Sequence, residues 1–194
     1  MDDSSPFRHL EQRRLEILIQ EFLHLERLRR PFTVNRREDK QTVQVGGLTL
    51  SIRVDREDEL EDGGLVLIDY KTGKIKTNGW VGERLREPQL PLYATARGGK
   101  LAGVSLAAIR TGEVGFTAAQ EVAALGKVKP MKMDLATLAE ERARWATALD
   151  QLAIEFRDGV ARVDPLPRAC DFCELKALCR IRDYSEPEAP DADE

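Results

Sequence analysis

Leu48-Thr49-Leu50-Ser51-Ile52-Arg53-Val54-Asp55, the turn Glu61-Asp62-Gly63-Gly64 and the run Leu65-Val66-Leu67-Ile68-Asp69-Tyr70-Lys71 decide how this chain folds. Leu48, Leu50, Ile52 and Val54 share one face of a strand, and Thr49, Ser51, Arg53 and Asp55 share the other, because strand side chains alternate. The polar, glycine-bearing turn returns the chain into a second strand, Leu65 to Lys71, and the two read as an antiparallel hairpin. The midpoint of Asp55 and Asp69 is position 62, inside the turn. A simple register therefore sets the two carboxylates nearly opposite each other.

Upstream, Ser5-Pro6 is a helix start, and Leu15, Leu18, Ile19, Phe22, Leu25 and Leu28 recur at helical spacing. This predicts one amphipathic helix over residues 6–29, ended by Arg29-Arg30-Pro31. An extended segment follows from Phe32 to Glu38, then a strand at Thr42-Val43-Gln44-Val45 and a turn at Gly46-Gly47. Downstream, Glu87-Pro88-Gln89-Leu90-Pro91-Leu92-Tyr93 opens a helix that stops at Gly98-Gly99, with both prolines in or before its first turn. Val104 to Arg110 and Val114 to Thr117 read as strands around Thr111-Gly112-Glu113. Asp134 is the expected cap of a long helix that packs through Leu138, Trp145, Leu149, Leu152 and Phe156 and ends at Gly159. That order of elements predicts an α/β (α+β) fold, a mixed central sheet flanked by helices.

Composition fits a single soluble globular domain: 194 residues, 42% hydrophobic and 33% charged. The net charge of -4 argues at first against a nucleic-acid partner, but six of the 34 acidic residues lie between Asp183 and Glu194, beside Pro187 and Pro190 and with no basic residue. Without that segment, 30 basic residues face 28 acidic ones, a net of +2. The expected division is a folded domain over residues 1–182 and an acidic, disordered tail over 183–194. No apolar run is long enough to cross a bilayer, and the acidic start Met1-Asp2-Asp3-Ser4-Ser5-Pro6 resembles neither a secretory signal nor a transit peptide. The expected location is cytoplasmic, with no membrane partner.

Asp69 and Lys71 fall on the same face of one strand, and Asp55 on its neighbour adds a second carboxylate at cross-strand distance. Two carboxylates this close repel unless a proton or a cation lies between them. A hard divalent ion such as Mg²⁺ or Mn²⁺, which takes oxygen ligands, suits the arrangement. Glu38, at the end of the preceding extended segment, is a candidate third oxygen ligand or water-orienting group. The chemistry that follows is phosphodiester hydrolysis, with Lys71 positioning the water and stabilising charge on the phosphate. An Asp-x-Lys triplet alone also fits an ordinary surface ion pair.

Three successive segments carry a resemblance. Arg53-Val54-Asp55-Arg56-Glu57-Asp58, Leu67-Ile68-Asp69-Tyr70-Lys71-Thr72-Gly73 and Gln89-Leu90-Pro91-Leu92-Tyr93 resemble the motifs of RecB-type nucleases of the PD-(D/E)xK superfamily, in particular the AddB-like helicase–nuclease subunits and related bacterial DNA-repair exonucleases. The resemblance spans about Phe32 to Arg180 and implies a restriction-endonuclease-like core. It implies Asp55 and Asp69 as metal ligands assisted by the carbonyl of Tyr70, Lys71 as the catalytic lysine, and Gln89 and Tyr93 as the Gln-x-x-x-Tyr pair beside the active site and DNA. It further implies DNA as substrate and a helicase domain or subunit as partner. Two departures stand out. Ile52 occupies the place where the family usually has glycine, and neither His9 nor His24 has the glycine-led context of the family's active-site histidine. The expectation is an excised C-terminal fragment whose His-bearing helix lies upstream, with activity of the fragment alone left open.

Cys170, Cys173 and Cys179 form a C-x₂-C-x₅-C cluster in an otherwise cysteine-free chain, a spacing typical of metal ligation. Three thiolates leave one position open, for zinc or iron–sulfur alike. The AddB resemblance implies a 4Fe–4S cluster in the full-length protein with its fourth cysteine outside this chain; the isolated chain need not hold it. Lys71, Lys74, Lys76, Arg84 and Arg86 follow the candidate site, where phosphate contacts would be useful. The alternatives to a metal-dependent nuclease are a non-catalytic DNA-binding module on the same fold and a metal-stapled structural domain of a helicase–nuclease complex.

Overall fold

The computed structural model describes residues 6–171 and 173–179. The acidic tail, Phe172 and Arg180 lie outside the described residues. The elements run α1 (Pro6–Glu26), β1 (Phe32–Val45), β2 (Leu48–Leu60), β3 (Leu65–Lys71), α2 (Gln89–Ala96), β4 (Leu101–Arg110), β5 (Glu113–Gln120), β6 (Lys129–Pro130), α3 (Leu138–Arg157) and α4 (Lys176–Cys179). The six strands form one sheet in the order β1-β2-β3-β4-β5-β6. β3 and β4 are parallel, joined by the crossover through α2, and β5 and β6 are parallel as well; the remaining pairs are antiparallel. The mixed sheet with flanking helices agrees with the fold read from the sequence.

The apolar run of β3 is buried throughout because helices cover both of its faces. Leu67 joins a core with Leu90 and Tyr93 of α2 and Leu138 and Trp145 of α3. Val66 and Ile68 join a second core with Phe22 of α1 and Phe116 of β5. β2 shows the twist of the sheet: Ile52 and Val54 belong to the α2/α3 core, whereas Leu60, of the same parity, belongs to the α1 core. The distal half of the β1–β2 hairpin thus coils over α3. Gly46 (φ 52°) and Gly47 (φ 83°) make the two-residue turn. The Gly46 N–H donates to Asp150 Oδ1 at 2.9 Å, and a Cβ there would lie 2.6 Å from the Asp150 carbonyl oxygen, so only glycine seats this tip on α3.

Several local expectations need correction. The extended segment and the short strand before Gly46 are one strand, β1, with a register shift between Val34 and Arg36. The cap of α3 is Thr137, not Asp134. Thr137 and Glu140 close a capping box, and Asp134 instead accepts the Gly82 N–H at 2.7 Å. Leu138, Glu141, Trp145, Leu149 and Ala153 form the buried face of α3, leaving Leu152 and Phe156 exposed, the latter at 78%. In α1, which ends at Glu26 and not at residue 29, only Leu18 and Phe22 are buried; Leu15 and Ile19 are exposed, as is Leu28 beyond the helix. No helix among the described residues is long and apolar enough to cross a membrane.

Candidate active site

The β2–β3 hairpin keeps one register from Glu59↔Leu65 to Arg56↔Ile68, and the next step along it brings Asp55 opposite Asp69. In that register the two side chains share one face of the hairpin. The Tyr70 N–H donates to Asp55 Oδ2 at 3.0 Å, which ties the first carboxylate to the strand that carries the second. Asp69 is 2% exposed. Lys71 Nζ stands 2.7 Å from Asp69 Oδ2, an ion-pair distance, yet the approach lacks hydrogen-bond geometry, and this buried oxygen has no hydrogen-bond partner. Burial pushes the Asp69 carboxyl above the ordinary carboxylate value; Lys71 works against that rise and the Asp55 charge adds to it.

A buried acid with an unsatisfied oxygen, a second carboxylate across the hairpin and a lysine alongside fit a hard divalent cation. Such an ion relieves the repulsion between the carboxylates and fills the missing contact of Asp69 Oδ2. Among the described residues no three His, Cys, Asp or Glu side chains converge to hold a metal. Any ion here therefore relies on two carboxylates, with backbone oxygen and water completing its shell. Glu38 faces Asp55 by register, but its carboxylate pairs with Arg53 at 3.0 Å and is well exposed. Glu57, two residues beyond Asp55 on the same face, is buried and already satisfied by Asn35 and Arg97, each at 2.8 Å.

Gln89 and Tyr93 come to Lys71 from the first turn of α2, one helical turn apart. Gln89 Nε2 donates to the buried Tyr93 hydroxyl at 2.9 Å, which fixes the amide so that Oε1 accepts from Lys71 Nζ at 3.3 Å. Pro88 and Pro91 lie at the cap and in the first turn of α2, where no intrahelical N–H is lost. A cavity of about 330 Å³ opens between Asp69, Lys71, Lys74, Trp80 and Gln89, floored by Leu90 and Leu106. Trp80 had no expected role. It is fully buried, edge-on to Trp145 at 5.6 Å between ring centroids, and its carbonyl accepts the Trp145 indole N–H at 3.1 Å. A lone tryptophan in an acid-free loop was the signal available for it.

Other sequence candidates fall elsewhere. The Tyr70 side chain points to the α1 face, where Arg56 Nη1 donates to its hydroxyl at 3.0 Å. Arg84 holds Asp164 at 3.0 Å, and Arg86 donates to the Pro167 carbonyl at 3.2 Å, so both tether the cysteine-bearing segment instead of facing the cavity. Cys170 and Cys173 are half-buried and Cys179 is exposed. Among the described residues the three thiols do not converge into a metal-ligand set.

Comparison with known proteins adds an independent line. The model of the PD-(D/E)XK nuclease superfamily matches residues 2–180. No curated protein matches. Among solved structures, one described as the crystal structure of SSO0001 is 16% identical, with 90% of this chain and 71% of that chain covered and a TM-score of 0.42.

Proposed function

The chain belongs to the PD-(D/E)XK nuclease superfamily, and from that premise we propose that it is a Mg²⁺- or Mn²⁺-dependent DNA nuclease of RecB/AddB type. Asp55 and Asp69 hold the cation, with the Tyr70 carbonyl assisting, and Lys71 is the catalytic lysine. The observation that carries this reading is the buried, unsatisfied Asp69 Oδ2 between Asp55 and Lys71. We take the nuclease domain as residues 1–182 and the acidic segment as 183–194, from the composition of the sequence.

In the reaction, water adds to phosphorus, one P–O ester bond breaks, and a phosphomonoester and a free hydroxyl result. Asp55 and Asp69 would hold a divalent cation, which would supply Lewis acidity for the phosphoryl oxygen and acidify water there. The Lys71 ammonium donates to the attacking water and to the phosphoryl oxygens as their charge grows. Gln89 and Tyr93 hold Lys71 in line, since an unrestrained lysine would spread over many rotamers. Trp80 and Leu90 keep bulk water from the floor of the cavity. The motif pattern around Asp55, Asp69 and Gln89 further supports an exonuclease of DNA end processing or repair that works with a helicase domain or subunit.

The test is cleavage of labelled duplex and single-stranded DNA in Mg²⁺ by the protein and by Lys71→Ala. A loss of roughly 10³-fold is expected from the substitution. Equal cleavage by the two proteins overturns the assignment.

A further inference from the structure

Two segments of this chain contain lysines and no acid: residues 72–82 and residues 122–133. They are far apart in sequence and adjacent in the fold, joined where the Lys132 N–H donates to the Thr77 carbonyl at 2.9 Å. The register of the sheet relates both to the active site. Asp69 pairs with Leu106, Leu106 with Thr117 and Thr117 with Lys129, so Lys129 lies in the same row as Asp69, three strands away. At a strand spacing of about 4.8 Å that is roughly 14 Å. Lys129 also points to the site's face: Leu106 of the row and Met131, two residues beyond Lys129, both belong to the α2/α3 core.

The lysines on these segments are Lys74, Lys76, Lys127, Lys129 and Lys132, and all are exposed. Among the described residues none of them has an ion-pair partner, whereas Lys71 and Lys100 do. Of the carboxylates at the margins, Asp134 accepts Gly82 N–H and pairs with Arg144 at 3.4 Å, and Glu87 lines the cavity, packed against Gly79. An exposed row of uncompensated ammonium groups is repulsive within itself, and it gains most from a polyanion whose charges are regularly spaced.

We propose that Lys74, Lys76, Lys127, Lys129 and Lys132 form a phosphate track that leads from the Asp55–Asp69–Lys71 pocket to the β6 edge of the sheet, and that the DNA backbone flanking the scissile phosphate lies along it. The inference rests on the nuclease reading for its starting point and adds the substrate's path. Over about 14 Å a duplex strand presents roughly four phosphates at 3.4 Å of axis each, a number comparable to the lysines available. Contacts of this kind position the backbone and carry no base preference. Arg84 and Arg86 are excluded from the track because their guanidinium groups hold residues 164 and 167.

The experiment measures binding of a fluorescent 20-mer duplex, and of the same strand alone, in EDTA across a salt series. The proteins compared are the full chain, the variant with all five lysines changed to glutamine, and Lys40→Gln as a control on the opposite edge. The expected result is at least a tenfold loss of affinity for the five-lysine variant. Its log–log salt slope should flatten by about 0.9 for each lysine in contact with duplex, and the control should be unchanged. Affinity and slope unaltered by the five substitutions, equal losses in Lys40→Gln, or no binding by the unmodified protein would each overturn the track. Thermal melts of all three proteins separate a folding defect from a binding one: if the variant is unfolded, pairwise replacement of Lys127 and Lys129 gives the same reading at smaller amplitude. Hydrolysis of a small phosphodiester by the unmodified protein in Mg²⁺ tests the nuclease reading separately, because a binding track and an inactive site are independent outcomes.

Discussion

Asp58 and Asp69 are both buried aspartates, on adjacent strands of one hairpin and on opposite faces of it, and the chain treats them in opposite ways. Asp58 is fully buried on the α1 face, with Oδ2 accepting from Arg29 at 2.6 Å and Oδ1 from Arg56 at 2.7 Å. Glu26 of α1 completes the cluster by pairing with Arg29 at 2.9 Å and Arg56 at 2.7 Å, so two cations meet two anions. The Arg29 guanidinium also stacks 3.9 Å above the Phe32 ring. Asp69, on the other face, has one lysine that sits in range without hydrogen-bond geometry, a second carboxylate as neighbour and an oxygen with no hydrogen bond. Burial that is matched by counter-charges builds structure. Burial beside a second carboxylate, with one lysine in range, instead leaves a net negative pocket that suits a cation.

The contrast can be broken by exchanging the two outcomes. The largest effect belongs to Asp69→Asn, which should lower DNA cleavage roughly 10³-fold or more while leaving the melting temperature equal to or above that of the unmodified protein. Asp58→Ala should instead cost about 3–5 kcal/mol in chemical denaturation, because Arg29 and Arg56 would each lose one of two carboxylates and leave two buried cations against Glu26 alone. If both substitutions destabilise the fold alike, the distinction between the two aspartates fails.

Acidity sharpens the same comparison. The folded-state pKa of Asp69 lies above its unfolded value, so this group favours folding most at pH below the unfolded pKa. That contribution is lost as pH rises from there through the raised folded value. The stability advantage of Asp69→Asn over the unmodified protein should therefore grow across this window, upward from about pH 4, and level off above it. Mg²⁺ affinity, read by calorimetry, should fall as pH is lowered through the same window, because the proton and the cation compete for one carboxylate. The smallest effect is Tyr70→Phe. It removes the hydrogen bond from Arg56 and should cost about 1 kcal/mol in thermal or denaturant unfolding.

The opposition of Asp55 and Asp69 was legible because the apolar alternation to Val54 and the Gly63-Gly64 turn allow little choice of register. Gln89 and Tyr93 were legible as a pair because four residues on a helix is one turn. The Arg29–Asp58–Arg56–Glu26 cluster was not, since its two local pairs, Glu26–Arg29 and Arg56–Asp58, meet across some thirty residues that no local period spans. Asp134 was preferred as a cap on residue type, although Thr137 with Glu140 three positions on was the stronger pattern. The exposure of Phe156 depends on where the packing partners of α3 end, which a helical period cannot reveal. Lys129 escaped notice because β6 is two residues long and contains a proline, too little for any strand pattern.

The sheet order also bears on how the molecule reaches its fold. Every strand pairs with the one before it in the chain, so four of the five pairings close over short loops and only β3–β4 waits for the crossover through α2. The β2–β3 hairpin is among the shortest of these closures, and it alone brings Asp55 and Asp69 together. The repulsion between them therefore arises early in folding, before α2 and α3 cover that face. On this account divalent cations should quicken the folding arm of a chevron as well as slow the unfolding arm, and the site would take part in building the domain that houses it.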